Sequence, residues 1–266
     1  MGFPGGKEGL AVAHHFILSP QQVGAKEVVI TGNDHEHLSR VLRLKAGETI
    51  TVSDGLGKTY SCLLKEINKS RTLAEIKSVS KDYSEPPLEL VLLQGLPKGD
   101  KLELIIQKAV ELGVSKIIPV AMERSVVRLS GEKAENRVQR WQRIAWEAAK
   151  QCRRGLIPRV GSICNLAEAL EQLPEDTLIL LPWEEEEARG LKEVLVSPGA
   201  QKAAGIVLVI GPEGGFGAQE LLLAKEKGAV PVSLGPRILR TETAAIATLA
   251  IVMYQLGDLG VIRIGG

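Results

Sequence analysis

The feature that most constrains this fold is a change in the pattern of predicted strands and helices at Ser84-Glu85-Pro86-Pro87. Beyond this proline pair, short apolar runs of strand type alternate with patterns of helical period. Such an alternation predicts a mostly parallel sheet that is covered by helices on both faces. The predicted strands are residues 88–94, 116–120, 177–181, 206–210 and 230–234. The predicted helices are residues 100–112, 132–153, 166–173, 218–227 and 241–256, with Asp100 and Thr241 as amino-terminal caps.

Before the proline pair, the chain consists of short β-rich runs that are joined by tight turns. The predicted strands are residues 14–18, 28–31, 48–54, 59–67 and 72–79, and one helix is predicted at residues 34–43. Closely spaced strands with tight turns predict a small β-barrel. We therefore predict two domains, a barrel at residues 1–84 and an α/β domain at residues 85–266.

Charge is distributed unevenly along the chain, although the net charge is only +1. Residues 124–159 hold ten Lys and Arg against three Asp and Glu, whereas residues 165–193 hold nine acids against two bases. The basic block predicts either a phosphate-binding patch or a solvated helix face, and composition alone does not separate the two. Aromatic residues make up 3% of the chain, which argues against a stacking platform for single-stranded bases.

Several classes of protein are disfavoured by composition. No apolar run reaches the roughly 18 residues that predict a membrane span, and the Gly-rich amino terminus lacks the apolar stretch of a signal peptide. Cys62, Cys152 and Cys164 lie far apart without metal-ligand spacing, and His35 and His37 have no acidic or thiol partners to complete a site. We therefore expect a cytoplasmic protein with reduced thiols, no membrane contact and no metal.

A glycine-rich turn, Gly211-Pro212-Glu213-Gly214-Gly215, directly follows the apolar strand at residues 206–210. It stands at the carboxyl end of a predicted sheet strand, where α/β folds bind ligands, and glycines there permit positive φ and close backbone approach. The turn lacks the Gly-Lys-Ser/Thr of a phosphate-binding loop and the spacing of a dinucleotide fingerprint. Taken alone, it is explained equally well as a plain tight turn.

A second strand-to-helix junction, at residues 232–244, holds Arg237, Arg240, Thr241 and Glu242 between apolar flanks. A helix cap explains Thr241, but it does not explain the three charged residues together. Because the carboxyl ends of parallel strands meet at one edge of the sheet, these side chains are expected to converge with the glycine-rich turn.

The pairing of GPEGG with LGPRILRTETA resembles the RsmE family, bacterial 16S ribosomal RNA (uracil-N(3)-)methyltransferases of the SPOUT class. The resemblance extends along nearly the whole chain. The further matching blocks are His37–Leu44, Leu96–Lys101, Glu111–Val114, Glu123–Ser125 and Trp141–Pro158. Glu36 departs from the pattern, since many members carry a histidine there, and the amino terminus before His15 is longer than usual.

The resemblance implies a PUA-like barrel, an RNA-binding domain, followed by a SPOUT domain with a trefoil knot. It also implies a homodimer, S-adenosylmethionine as the cofactor, and a uracil in the decoding region of 16S ribosomal RNA in the small ribosomal subunit as the substrate. The expected cofactor-binding residues are Leu181, Ile210, Gly211, Gly214, Gly215, Leu234, Gly235, Ile238, Leu239 and Thr241. The candidate RNA contacts are Arg40, Arg43, Lys98, Arg124, Arg128, Arg153 and Arg154, with Arg40 and Arg43 expected on one face of the helix at residues 34–43.

Methylation at N(3) of uracil requires removal of a proton and stabilisation of the charge that spreads onto the flanking oxygens. Arg240 is the candidate for the oxyanion role, and Glu213 or Glu242 for the base. Two other classes of function are weighed against this one. A nucleotide-using α/β enzyme would carry a phosphate fingerprint, and an RNA-binding module without catalysis would have no need of this pocket. The substrate, free RNA or assembled subunit, stays open.

Overall fold

The computed structural model describes residues 14–81, 85–174 and 176–261, so the Gly-rich amino terminus lies outside the described residues. The chain divides into two compact units. The amino-terminal unit comprises residues 1–85 together with 153–156, and the carboxy-terminal unit comprises residues 86–152 and 157–266. The division falls at the proline pair, but the return of residues 153–156 to the first unit is not apparent from the sequence.

The amino-terminal unit is built on a five-stranded sheet in the order β1-β3-β4-β5-β2. β1 runs parallel to β3, and the other neighbours are antiparallel. One face of the sheet buries an apolar cluster that includes Phe16, Ile50, Val52 and Leu64. The strands are β1 His15–Ile17, β2 Glu27–Thr31, β3 Thr49–Ser53, β4 Lys58–Ile67 and β5 Arg71–Lys81.

The predicted helix at residues 34–43 differs from the observed one in a way that affects the arginines. Helix α1, Gly32–Glu36, continues as a π-helical turn, His37–Val41, in which the N–H of Leu42 donates to the carbonyl of His37 at 2.9 Å. Arg43 lies beyond this turn with a φ of 54°, in the left-handed region. The expectation that Arg40 and Arg43 share a helix face is therefore wrong.

Arg154, expected among the RNA contacts, is buried within the amino-terminal unit. Its Nη2 lies 2.7 Å from Glu85 Oε2, and its Nε donates to the same oxygen at 3.2 Å. Glu85 also accepts the N–H of Leu156 at 2.9 Å, so the carboxylate fastens residues 153–156 to this unit. With a side chain that is 5% exposed, Arg154 cannot present its guanidinium to a phosphate, and that expectation is corrected.

The carboxy-terminal unit contains a six-stranded, entirely parallel sheet in the order β11-β9-β10-β6-β7-β8. The predicted α/β class is confirmed. The strands are β6 Glu89–Gly95, β7 Lys116–Val120, β8 Arg159–Val160, β9 Thr177–Pro182, β10 Gly205–Ile210 and β11 Val230–Val232. The helices are α2 Lys101–Glu111, α3 Gly131–Cys152, α4 Leu166–Glu171, α5 Leu191–Leu195, α6 Pro198–Lys202, α7 Ala218–Glu226 and α8 Thr241–Gln255.

Strand β10 lies between β9 and β6, and all six of its residues are buried. Val207 and Val209 belong to one apolar cluster, together with Leu93 of β6 and Ile118 of β7. Because β10 is covered on both faces, it carries no polar side chain until it leaves the sheet. The first positions free to carry chemistry therefore follow Ile210.

Within the described ranges, no helix is long and apolar enough to cross a membrane. The same residues contain no group of three His, Cys, Asp or Glu side chains that could hold a metal ion.

Candidate active-site cleft

A cleft of about 660 Å³ opens at the carboxyl ends of three neighbouring strands, β9, β10 and β11. Its walls are the segments that follow these strands, residues 182–187, 210–216 and 233–241, with Ala244 of α8 at one end. The volume lies in the range of small-molecule sites. The predicted cofactor residues that line it are Ile210, Gly211, Gly215, Leu234, Gly235, Ile238, Leu239 and Thr241.

Two predicted cofactor residues do not line the cleft. Leu181 is completely buried in the apolar cluster beneath the sheet edge, and the cleft begins with the next residue, Pro182. Gly214 turns away from the cleft, and its carbonyl accepts a hydrogen bond from Arg124 Nη1 at 3.0 Å. Gly214 is therefore part of the turn that shapes the cleft rather than part of its surface.

The glycine-rich turn owes its shape to two backbone requirements. Gly215 has a φ of 71°, which a β-branched residue adopts only with strain, and its N–H donates to the carbonyl of Pro212 at 3.0 Å. At Gly211, a Cβ would lie 3.4 Å from the backbone of Gly215 and from the ring of Phe216. The turn thus folds back on itself, which brings its backbone to the edge of the cleft.

Glu213, a candidate base, lines the cleft and is held by several donors. Both of its oxygens accept the N–H of Lys98, at 3.1 and 3.3 Å, and Oε1 accepts Lys101 Nζ at 2.9 Å. Burial raises the pKa of this carboxyl, but the hydrogen bonds and charge of Lys101 and the N–H of Lys98 outweigh it, so that the pKa is lowered. Glu213 therefore stays ionised at neutral pH.

Lys101 contacts both carboxylates that are candidate bases, Glu213 and Glu242. Its Nζ also lies 3.4 Å from Oε2 of Glu242, which is 16% exposed and does not line the cleft. The hydrogen bond and charge of Glu213, and those of Glu242, raise the pKa of Lys101 despite some desolvation. Lys101 belongs to the matching block Leu96–Lys101, but no sequence pattern indicates its role.

Thr241 takes a role other than the predicted helix cap. The residue that caps α8 is Arg240, through its backbone and without a side-chain hydrogen bond. The Thr241 hydroxyl instead donates to the carbonyl of Gly211 at 2.7 Å and accepts Gln94 Nε2 at 3.0 Å. Asp100 occupies the predicted cap position of α2, but its side chain makes no capping bond.

Arg237 and Arg240 also line the cleft and are exposed. In the part of the chain that the structure describes, neither guanidinium has a hydrogen-bond or ion-pair partner. Between them, Ile238 is 84% exposed, an unusual position for an isoleucine in a folded unit. This segment is therefore the part of the cleft whose polar and apolar groups are left for a ligand to engage.

The acidic run Glu184–Glu187 also lines the cleft, through Glu184, Glu186 and Glu187. Glu186 Oε1 accepts the N–H groups of Ala188 and Arg189 at 2.8 and 3.1 Å, which shapes the loop. Its place after β9, at the same sheet edge as the other two loops, was the signal that could have identified it.

The remaining candidate RNA contacts are exposed. In the carboxy-terminal unit these are Lys98, Arg124 and Arg128, and in the amino-terminal unit Arg40, Arg43 and Arg153. Arg40 Nη1 lies 3.6 Å from Glu36 Oε1, an exposed pair that leaves the guanidinium accessible. Elsewhere in the basic block, Arg137 and Arg140 pair with Glu103 at 3.6 and 2.8 Å, as expected of a solvated helix face.

Models of known protein families match both units of the chain. The model of an RNA methyltransferase domain matches residues 84–253, and that of an RNA methyltransferase PUA domain matches residues 30–77. The first match spans more than half of the chain and includes all three loops of the cleft. The fold is thus that of an α/β methyltransferase with an amino-terminal PUA-like domain.

Individual relatives cover nearly the whole chain. It is 34% identical over 241 residues to ribosomal RNA small subunit methyltransferase E of Bacillus subtilis, covering 90% of this chain and 94% of that one. It is 35% identical to the protein of the same name from Synechocystis, covering 90% and 77%. A crystal structure of ribosomal RNA small subunit methyltransferase E from Neisseria gonorrhoeae bound to S-adenosyl methionine aligns with a TM-score of 0.79 and 36% identity, covering 92% of this chain and 99% of that one.

Proposed function

This chain belongs to the ribosomal RNA small subunit methyltransferase E family, and from this premise we propose that it transfers a methyl group from S-adenosylmethionine to N(3) of a uracil in 16S ribosomal RNA. The observation that carries the proposal is the cleft at the ends of β9, β10 and β11. It combines a tight glycine turn with the arginines of residues 233–241 in one space of about 660 Å³.

The residues of the cleft fit S-adenosylmethionine. The ligand carries no phosphate, which agrees with a glycine turn that has no phosphate-binding lysine motif. Its sulfonium and ammonium are positively charged, and Glu184, Glu187 and the ionised Glu213 line the cleft. The backbone of Gly211, Gly215 and the segment at residues 234–239 would hold it. When bound, S-adenosylmethionine supplies an electrophilic methyl group on sulfur.

The protein's part in the reaction is to make the uracil a better nucleophile. Neutral uracil is poor at N(3), because that nitrogen carries a proton and its lone pair is delocalised between two carbonyls. We assign the proton acceptor to Glu213 rather than Glu242, since only Glu213 lines the cleft. Because its pKa is lowered, Glu213 is ionised throughout the neutral range, and loss of activity at acid pH should begin only below its ordinary value of 4.5.

Arg240 is assigned to the negative charge that develops on the uracil oxygens. It lines the cleft, and no described carboxylate neutralises it. A guanidinium that is free before the substrate binds can be directed wholly at the developing oxyanion. Its stabilisation of the uracil anion also offsets the weak proton affinity of Glu213.

The RNA surface is proposed to include Lys98, Arg124, Arg128, Arg40, Arg43 and Arg153, acting through phosphates. The exposure of all six side chains supports this proposal. Each phosphate contact contributes a slope of roughly −0.7 to −0.9 to the dependence of log K on log salt. Arg40→Ala and Arg43→Ala, made singly because the two do not share a helix face, should each flatten that slope without changing cofactor affinity. Loss of thermal stability with an unchanged slope would reassign Arg40 to its pair with Glu36.

We further propose a homodimer, a trefoil knot in the carboxy-terminal unit, action in the cytoplasm and a target in the decoding region of the small subunit. Support for the dimer comes from neighbouring helices α2 and α8, which leave Leu104, Ile251 and Tyr254 exposed by 44%, 43% and 72%. Sedimentation of the native protein and of Ile251→Glu tests this interface, since a dimer should become monomeric in the variant.

The proposed reaction is tested by mass spectrometry of 16S ribosomal RNA from a strain that lacks the gene. The expected result is one uracil that has lost a methyl group at N(3), restored by the wild-type gene and not by Arg240→Ala. Purified 30S subunits and free RNA, offered in parallel to the enzyme, identify the substrate. Unchanged RNA in the deletion strain, or a methyl group lost from another atom, would reject the assignment.

A further inference from the structure

Strand β6 carries a buried glutamine, Gln94, directly after four buried apolar residues. Gln94 is 0% exposed, and its neighbours Leu92 and Leu93 are buried leucines. Burying a carboxamide is unfavourable unless its hydrogen bonds are made, whereas a leucine at this position would need none. The glutamine therefore calls for an explanation beyond the stability of the sheet.

The carboxamide of Gln94 makes two hydrogen bonds as a donor. Nε2 donates to the carbonyl of Gly95 at 3.0 Å and to the hydroxyl of Thr241 at 3.0 Å. Because a carbonyl can only accept, the bond to Gly95 fixes which end of the carboxamide carries the N–H groups. Among the described residues, the buried Oε1 of Gln94 has no hydrogen-bond partner.

The direction of these bonds determines what the Thr241 hydroxyl does. A hydroxyl has one proton, and here it accepts from Gln94 and donates to the carbonyl of Gly211 at 2.7 Å. Gly211 begins the glycine-rich turn, and Thr241 begins α8, so that one hydroxyl joins two of the three loops that line the cleft. If the Gln94 donor were absent, that hydroxyl could rotate and leave Gly211.

We propose that Gln94 is a positioning residue of the cofactor cleft: its carboxamide directs the Thr241 hydroxyl onto the Gly211 carbonyl and thereby fixes the glycine-rich turn against the start of α8. Gln94 does not itself line the cleft, so it acts through Thr241. The inference rests on the proposed binding of S-adenosylmethionine at this cleft.

The experiment is a double-mutant cycle read by calorimetric titration of the full-length protein with S-adenosylmethionine. Gln94→Met keeps the length of the side chain and removes the donor, and Thr241→Val removes the hydroxyl. Each single variant should bind the cofactor about two- to tenfold more weakly, as expected of one neutral hydrogen bond. The double variant should be no weaker than Thr241→Val if the Gln94 carboxamide acts through the Thr241 hydroxyl.

Ser115→Ala is the matched control. Ser115 Oγ accepts the N–H of Leu90 at 3.1 Å, at the opposite end of the same strand, so its removal weakens β6 without touching the cleft. It should lower the melting temperature and leave cofactor affinity unchanged. Additive losses in the double variant, or losses in the control equal to those in Gln94→Met, would show that Gln94 only stabilises the sheet. If the wild-type protein bound no S-adenosylmethionine, the proposed function would fail instead.

Gln94→Glu provides a second measurement that does not depend on the folding of Gln94→Met. A protonated carboxyl retains one donor, whereas an ionised one can only accept and would draw the Thr241 hydroxyl away from Gly211. Relative to wild type at each pH, cofactor affinity of Gln94→Glu should therefore recover as the pH falls. A ratio that does not change with pH would overturn the proposal.

Discussion

Two of the loops that line the cleft differ in how far their polar groups are bonded to the rest of the protein. In the glycine-rich turn, residues 211–215, several polar groups are bonded to the rest of the protein: Glu213 to Lys98 and Lys101, the Gly211 carbonyl to Thr241, and the Gly214 carbonyl to Arg124. In the arginine loop, residues 234–240, the two guanidiniums have no partner within the described residues, and Ile238 is 84% exposed.

This difference indicates that one loop serves mainly to bind the cofactor and the other mainly to catalyse the reaction. A turn whose polar groups are already bonded does not need to reorganise when a ligand arrives, which favours a fixed shape for the cofactor. A loop with unpaired charges gains most of its interactions from the ligand itself, and a catalyst profits when such interactions strengthen in the transition state. We therefore expect substitutions in the turn to change cofactor affinity and substitutions in the arginine loop to change the rate.

The largest effect is expected for Arg240→Ala. Removal of one oxyanion stabiliser typically costs about a hundred- to a thousandfold in rate. Because the arginine caps α8 only through its backbone, the fold and the cofactor affinity should be preserved. Single-turnover methyl transfer, together with calorimetric titration of the cofactor, measures both quantities. Arg237→Ala, in the same loop, shows how much of the rate effect is specific to Arg240, and a near-normal rate in folded Arg240→Ala would contradict a catalytic role for this loop.

Gly215→Val should have the next largest effect, on affinity. The φ of 71° imposes strain on a β-branched residue of about 1–3 kcal/mol. If the turn relieves this strain by leaving the shape that binds the cofactor, affinity should fall by roughly 5- to 160-fold. Affinity for RNA should change less. Gly214→Val is the matched control, because that glycine does not line the cleft and its new Cβ would meet Arg124 at 3.0 Å instead. If both variants lost cofactor affinity equally, any distortion of the turn would weaken cofactor binding, whichever glycine was replaced.

The elements that could be predicted are those whose residue pattern lies within a short stretch of the chain. β6, β7, β9 and β10 are apolar runs bounded by turn residues, and their predicted limits agree with the observed ones within about one residue. The elements that were missed are too short to show a period, namely the two residues of β8 and the five residues each of α5 and α6. The π-helical turn at His37–Val41 was invisible for a different reason, since helical periodicity does not distinguish an i→i+5 bond from an i→i+4 one.

The site was predictable to the extent that it follows strand ends. The glycine-rich turn and the arginine loop were identified in this way, and eight predicted cofactor residues line the cleft. The partners that hold the residues of these loops in place were not identified, because Lys101 lies 112 residues from Glu213 and Gln94 lies 147 residues from Thr241 along the chain. Arg154 was misplaced for the same reason, since its carboxylate partner Glu85 is 69 residues away. A single sequence carries no signal for such pairs.

Arg124→Ala tests the turn from outside and should have a modest effect. If the bond to the Gly214 carbonyl supports the turn, cofactor affinity should fall about two- to fivefold, in line with an exposed charged hydrogen bond. If the residue serves only the RNA, the salt slope of RNA binding should instead flatten by roughly 0.7 to 0.9 with cofactor affinity unchanged. Arg128→Ala, which removes an exposed arginine four positions along the chain, is the matched variant.

The smallest effect, and the one that separates stability from affinity, is expected for Lys101→Met. The lowered pKa of Glu213 means that its ion pair contributes stability fully above the ordinary value of 4.5, and that this contribution is lost as the pH falls through the lower, folded value. The raised pKa of Lys101 means that the same pair is lost at the alkaline end only above its ordinary value of 10.5. The difference in melting temperature between wild type and variant should therefore be largest between these values, at most about 3 °C for a partly exposed pair, and should shrink in acid.

Lys108→Met, which removes the pair with Glu111 on the same helix, is the control for helix stability and should leave cofactor affinity unchanged. A melting difference that persists undiminished to about pH 3, well below the ordinary carboxyl range, would show that Lys101 stabilises the turn by packing its stem and not by charge.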